Sequence, residues 1–101
     1  MAQDCPSYEV RFTQAAKKDL RKLSQTNQEA ASKAIDALAA LSSEPRPARS
    51  KRLSGVYSSY RRIRVGNMRA VYRIQDSVLE ILVIAVGDRA NIYETLGRRV
   101  K

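Results

Sequence analysis

Nine basic residues and no acidic one occupy the stretch from Pro45 to Gln75: Arg46, Arg49, Lys51, Arg52, Arg61, Arg62, Arg64, Arg69 and Arg73. Guanidinium groups are planar forks that match phosphate oxygens bidentately, so the chemistry such a run suggests is the holding of a phosphodiester. The chain as a whole carries a charge of +9, from 19 Lys and Arg against 10 Asp and Glu. That balance favours nucleic acid, an anionic membrane or an acidic protein as partner. A merely solvated basic surface is the alternative. The unbroken run of one sign, nearly a third of the chain, favours a nucleic-acid surface.

What the chain lacks narrows the chemistry further. It has no histidine and a single cysteine, Cys5. Ser-His-Asp and Cys-His catalysis and histidine-ligated metals are therefore excluded, and the scattered acids offer no metal-ligand spacing. No metal and no cofactor is expected, and any catalysis must rest on Arg, Lys, Tyr or carboxylate groups. A lone thiol fits a reducing compartment. The opening residues, Met1-Ala2-Gln3-Asp4-Cys5-Pro6, lack the basic start and apolar stretch of a signal peptide. No apolar run approaches the ~18 residues that a membrane crossing needs. The expected setting is the cytoplasm, with no membrane partner.

A single domain must position these side chains. The 101 residues are too few for two independent cores, and a hydrophobic content of 44% suffices for one. Tyr8-Glu9-Val10-Arg11-Phe12 alternates as a half-buried strand does, and Thr13 has the chemistry of a helix N-cap. Ala16, Leu20 and Leu23 then form one helical stripe, with Lys17, Lys18, Asp19, Arg21 and Lys22 elsewhere on the surface. Thr26-Asn27-Gln28-Glu29 has the spacing of a capping box and opens a second helix. Ala31, Ala34, Ile35, Leu38 and Leu41 give that helix its apolar stripe, until Pro45 forbids continuation. A Pro- and Arg-rich loop over 45–59 leads to strand-like runs at 60–65, 68–74 and 78–86, the last apolar enough to be covered on both faces. Residues 90–101 are expected to form a short helix. The order β-α-α-β-β-β-α predicts an α+β fold, a small, largely antiparallel sheet with an N-terminal helical hairpin on one face.

Gly66-Asn67 reads as a two-residue hairpin turn with glycine first, as type II′ prefers. That turn pairs Val65 with Met68, Arg64 with Arg69, Ile63 with Ala70, Arg62 with Val71 and Tyr60 with Arg73. By strand alternation, Ile63, Val65, Met68, Ala70, Tyr72 and Ile74 share the face beneath the helices. Arg62, Arg64, Arg69, Arg73, Tyr60 and Val71 share the other, which is expected to lie open. Arg64 opposite Arg69 is normally destabilising, and places where such rules fail are often functional. Arginines splayed into water are the plain alternative. Arg89 follows the last strand directly and can reach the same face. Tyr93, four residues on, can stack on a base or contact a ribose, or simply pack.

Arg52-Leu53-Ser54-Gly55, the run from Tyr60 through Tyr72, Val86-Gly87-Asp88-Arg89 and Tyr93 together resemble the RelE family of type II toxin–antitoxin systems. The resemblance covers Tyr8 to about Val100 and implies the same small sheet with a helical hairpin. It implies a toxin that enters the ribosomal A site and cleaves mRNA there, and that a RelB-like antitoxin neutralises. Its active-site positions fall on Arg62, Arg64, Arg69, Arg89 and Tyr93. The reaction implied is attack by a ribose 2′-OH on the adjacent phosphate. Arg64 and Arg69 would take the growing phosphorane charge, Arg89 the leaving-group side, Arg62 the orientation of the 2′-OH, and Tyr93 stacking, positioning or proton removal. Relatives often carry lysine at the first two positions, and arginine at 62 makes a poor conventional base because it effectively stays charged. Arg46, Arg49, Lys51, Arg52, Arg61 and Arg73 are expected to bind RNA or ribosomal phosphates. Two alternatives stand beside this reading: a ParE-like inhibitor of DNA gyrase that cuts no RNA, and an inactive relative that binds RNA or antitoxin.

Overall fold

Short-range signals in the sequence set most element boundaries. The computed structural model describes residues 7–88 and 92–99. It runs β1 (Glu9–Phe12), α1 (Gln14–Thr26), α2 (Gln28–Ala39), β2 (Ser50–Arg52), β3 (Tyr60–Val65), β4 (Met68–Gln75), β5 (Glu80–Asp88) and α3 (Ile92–Arg99). Thr13 caps α1 as its chemistry requires, its side chain accepting the Ala16 N–H at 3.1 Å. The cap of α2 is Asn27 and not the Thr26 of the expected capping box. Asn27 accepts the Ala30 N–H at 3.1 Å, while Thr26 ends α1 and its hydroxyl donates back to the Leu23 carbonyl at 3.2 Å. An Asx side chain serves as well as threonine at this position, and here it allows the tighter connection.

The five strands lie in the order β1-β5-β4-β3-β2, with β1 parallel to β5 and every other neighbour antiparallel. This is the expected α+β architecture with one strand more. β2 was expected to be loop, because Ser50-Lys51-Arg52 has no apolar alternation; as an edge strand it takes its order from hydrogen bonding to β3. Val78 and Leu79, expected in the last strand, form a turn instead and are exposed. Leu79 adopts a left-handed φ of 53°, which lets its carbonyl accept the Glu9 N–H at 2.9 Å and so seats β1 beside β5.

Two cores flank the sheet. Ala16, Leu38 and Leu41 of the helical hairpin and the turn after it bury Ile63, Ala70, Tyr72, Ile81 and Val83 on one face. Ile35, expected in the α2 stripe, is 47% exposed, and Ala37 is buried there with Leu38. On the other face Ile92 and Leu96 of α3 bury Tyr60, Val71, Ile84 and Ala85. That face is therefore not open along its length. A β-bulge makes the second core possible: the β4–β5 register slips between Val71 and Tyr72, so Ala85 and Val83 find partners and Ile84 is extra. Ile84 and Ala85 can then both turn toward α3, which strict alternation would forbid. Among the described residues no helix is long and apolar enough to cross a membrane.

Candidate functional site

The β3–β4 hairpin has the register that its turn dictates. Val65 pairs with Met68, Arg64 with Arg69, Ile63 with Ala70, Arg62 with Val71 and Tyr60 with Arg73. Gly66 takes a φ of 61°, as the first central position of a type II′ turn demands. Arg62, Arg64, Arg69 and Arg73 thus stand on one face. Arg64 is exposed, whereas Arg62, Arg69 and Arg73 are half-buried. Arg69 lies between Arg64 on β3 and Gly87 on β5, and the absent side chain at Gly87 leaves room beside it. Arg62 lies between Val71 and Lys51, so a second pair of cations is opposed across the β2–β3 ladder.

Arg62 and Tyr93 meet. The guanidinium Nη1 donates to the Tyr93 phenol oxygen at 3.1 Å, while Arg62 Nε is buried with no hydrogen-bond partner among the described residues. They share a cleft of about 340 Å³ whose other walls are Lys51 and Arg52 of β2, Leu53 and Ser54 after it, and Tyr57. Tyr57 is braced from behind by α3, whose Gly97 lies so close that a Cβ there would come within 3.3 Å of the Tyr57 hydroxyl. No carboxylate lines the cleft among the described residues, so its field is positive and its hydrogen-bonding groups are mainly donors. With its oxygen accepting from Arg62, the Tyr93 hydroxyl has its proton left to offer to another acceptor.

A second device fixes α3 and therefore Tyr93. β1 ends at Phe12, so its pairing with β5 stops at Val83, and beyond it the edge of β5 away from β4 has no strand partner among the described residues. Asp19 of α1 accepts the Val86 N–H at 3.0 Å, and Arg99 of α3 donates to the Ile84 carbonyl at 3.0 Å. The two side chains bind each other through both carboxylate oxygens, at 2.7 and 3.0 Å. Hydrogen bonding to Asp19 holds the Arg99 pKa above its usual value, against the opposing effect of burial. One ion pair thus ties the first helix, the bulged strand and the last helix together.

The remaining expected contacts are dispersed. Arg46 is engaged in a bidentate pair with Asp76, at 2.8 and 3.4 Å, and Tyr8 donates to the same carboxylate at 2.6 Å. Arg61 faces the opposite side of β3 from Arg62 and donates to the Ser50 hydroxyl at 2.9 Å. Arg49 is exposed beside Lys33 and Asp36 of α2, away from the cleft. Arg73 lies between Tyr60 and Leu82. Arg89 and Cys5 lie outside the described residues. The structure therefore brings Arg62 and Tyr93 into one cleft, sets Arg64 and Arg69 opposite each other on the same sheet face, and moves Lys51 and Arg52 from the expected outer contacts into the cleft wall. Ser54 and Tyr57 were missed by sequence reasoning. The signal that points to them is their place in the acid-free stretch, two residues and five residues after Arg52.

The family model for the ParE toxin of type II toxin–antitoxin systems, parDE, matches residues 10–93. A search of curated proteins gives no match. Among solved structures, a chain of the RelBE2 toxin–antitoxin complex from Mycobacterium tuberculosis is 31% identical, with a TM-score of 0.71 over 82% of this chain and 99% of that one. A double arginine-to-alanine mutant of Escherichia coli toxin RelE in the free state is 25% identical, with a TM-score of 0.69 over 94% and 99% of the two chains. A chain of the archaeal RelE–RelB complex from Pyrococcus horikoshii shares the fold, with 20% identity and a TM-score of 0.69 over 82% and 96%. By the matched family model and the RelBE2 likeness, this chain belongs to the RelE/ParE superfamily and is a toxin of a type II toxin–antitoxin system.

Proposed function

We propose that this toxin is a ribosome-dependent endoribonuclease that cleaves mRNA in the A site and is held inactive by a RelB-like antitoxin in the cytoplasm. The observation that carries the reading is the Arg62–Tyr93 contact in a cleft walled by Lys51 and Arg52, beside the opposed Arg64 and Arg69. The cleft's volume is at the lower end of small-ligand sites, which run from about 300 to 1,000 Å³, and suits one splayed nucleotide better than a stacked strand. Aromatic Tyr57 and Tyr93 offer faces to a base. In the reaction, the ribose 2′-oxygen gives up its proton, to Tyr93 or to solvent water, and bonds to the adjacent phosphorus. The bond from phosphorus to the 5′-oxygen breaks, and that oxygen takes up a proton. Arg64 and Arg69 neutralise the phosphorane, Arg62 orients the nucleophile, Tyr93 stacks on or positions the nucleotide or takes the 2′-OH proton, and Arg89 serves the leaving group. With no histidine in the chain, acid–base assistance is weak, and the ribosome must supply the alignment of mRNA, a contribution that reaches several kcal/mol.

The test is cleavage of one mRNA, free and on a programmed ribosome with an empty A site. Rapid cutting on the ribosome and slow cutting of free RNA is the expected result. Equal rates would point to a self-sufficient ribonuclease. A second reading, inhibition of DNA gyrase, is favoured by the ParE description of the matched family model. Loss of gyrase supercoiling with no RNA cleavage would establish it in place of the first.

A further inference from the structure

Arg46, Arg52, Ser58, Ser59, Arg61 and Ile74 line a pocket of about 280 Å³. It lies on the helical-hairpin side of the sheet, since Arg61 points away from Arg62 and Ile74 packs against the first core. Arg52 stands directly opposite Arg61 across the β2–β3 ladder, a like-charge pairing that is normally destabilising. Lys51 with Arg62 and Arg64 with Arg69 are also opposed, but on the face of the cleft. The Arg52–Arg61 pair is on the other face, and the cleft does not account for it. No carboxylate lines the pocket among the described residues, and two hydroxyls do, both on exposed serines. The arginines keep donors in hand. Arg46 uses Nη1 and Nη2 on Asp76, and Arg61 uses Nε and Nη2 on Ser50, which leaves Arg46 Nε and Arg61 Nη1.

We propose that Ser59 is a phosphorylation site whose phosphate is clamped by Arg46, Arg52 and Arg61. Ser59 lies two residues before Arg61, the strand spacing that puts both side chains on one face. Its loop is accessible on the folded chain, with Ser59 exposed and nearby Val56 87% exposed. A serine kinase supplies the γ-phosphoryl group of ATP. The bond from Ser59 Oγ to phosphorus forms, the bond from that phosphorus to the bridging oxygen of ADP breaks, and the hydroxyl proton is released to solvent. The product carries a charge of about −2 and three acceptor oxygens, which match guanidinium forks and relieve the Arg52–Arg61 opposition. A free phosphate ion would have to give up its translational freedom for contacts that water screens, whereas a phosphate fixed to Ser59 is held at high effective concentration. Arg52 gives the modification its consequence, because it lines the Arg62–Tyr93 cleft as well as this pocket. A dianion beside Arg61 holds Arg52 on the pocket side and withdraws a cation from the cleft wall. Phosphorylation therefore weakens cleavage, a consequence that rests on the RNA reading of the cleft, whereas the clamp does not.

The test compares the full chain with a Ser59→phosphoserine chain made by installing the modified residue during synthesis. New charge-assisted hydrogen bonds should raise Tm by about 4 °C or more in a domain of this size. That gain should fall by at least half when both chains also carry Arg52→Gln. With Arg49→Gln, which removes the same charge from an exposed arginine outside the pocket, the gain should stay within about 1 °C of its full size. No gain, or equal losses of it in the two arginine variants, overturns the clamp. A rise of the same size when inorganic phosphate is added to the unmodified chain makes the pocket a free-anion site and overturns the modification. Mass spectrometry of the chain recovered from its own cells, in growth and in starvation, should find phosphate on Ser59, and its absence under both conditions also refutes the proposal. On programmed ribosomes the phosphorylated chain should cleave about fivefold more slowly or worse, and an undiminished rate removes Arg52 as the link between the two pockets. If the unmodified chain leaves ribosomal mRNA uncut while the Tm gain follows Arg52, the cleavage reading fails and the phosphorylation site stands.

Discussion

Replacing Arg62 by methionine should make the toxin more stable and less active at once. The guanidinium has a buried Nε with no partner among the described residues, and an unsatisfied buried donor costs about 1–3 kcal/mol. It also faces Lys51 across the ladder, a like-charge opposition worth roughly 0.2–1 kcal/mol. Against these stands one hydrogen bond to the exposed Tyr93, which contributes about 1 kcal/mol. Methionine keeps the stem that lies near Leu53 and Tyr57 and removes the charge. The balance is a gain of about 1 kcal/mol, or a rise in Tm of roughly 4–8 °C for a domain of this size. Loss of a preorganised donor at the site should lower the single-turnover cleavage rate on programmed ribosomes about a hundredfold to a thousandfold. Thermal denaturation followed by circular dichroism, beside that rate, measures both. A fall in Tm would show that Arg62 is a structural tie and not a strained functional group. Unchanged cleavage would remove the cleft from the mechanism.

Tyr93→Phe keeps the stacking face and loses the hydroxyl; Tm should move by no more than about 2 °C, while cleavage falls at least tenfold if the phenol takes part, as comparison of single-turnover rates will show. Asp19→Asn breaks a largely buried pair and leaves Arg99 facing an amide, and should destabilise by about 2–3 kcal/mol, read from the shift of the urea midpoint. Hydrogen bonds from Arg46 and then from Tyr8 hold the Asp76 carboxyl below its usual range, while the Asp76 hydrogen bond holds the Tyr8 phenol above its own. The depressed carboxyl contributes stability above about pH 4 that is lost as pH falls through its folded value, and the raised phenol contributes below about pH 10 and is lost as pH rises through its own. Asp76→Asn should therefore flatten both limbs of the plot of Tm against pH. Leu79→Gly removes a left-handed φ that costs about 1–2 kcal/mol and adds the ~0.5–1 kcal/mol backbone entropy of glycine, so Tm should be equal or slightly higher.

The sequence reading succeeds where information is local. Thr13 as a cap, Gly66 at a positive φ, and the pairing from Tyr60 to Arg73 all follow from chemistry within a few residues. It fails where a residue's state is set by something distant. Ser50-Lys51-Arg52 is a strand only because β3 offers its edge, and no pattern within three polar residues announces that. Ile35 fits the helical period, yet it is left exposed while Ala37 and Leu38 are buried. The bulge at Ile84 has no marker in a run of apolar residues, so the second core beneath α3, and with it the partial covering of the arginine face, was not legible. At the site, residue types pointed to phosphate and register placed four arginines together. That Lys51 and Arg52 wall the same cleft as Arg62 and Tyr93 depends on α3 and the loop after β2 folding over the sheet, which is a tertiary fact.

The tie between Asp19 and Arg99 spans 80 residues, and β1 pairs with a strand that begins only at Glu80. Contacts so far apart in the chain close late, because the entropy of a large loop must be overcome before they are gained. The helical hairpin and the β3–β4 hairpin can form as each leaves the exit tunnel, but Tyr93 reaches Arg62 only when α3 docks, and α3 follows the other described elements in chain order. During synthesis the cleft is consequently completed only after α3 has emerged and docked. No fragment of the fold that stops short of α3 can therefore hold Tyr93 against Arg62.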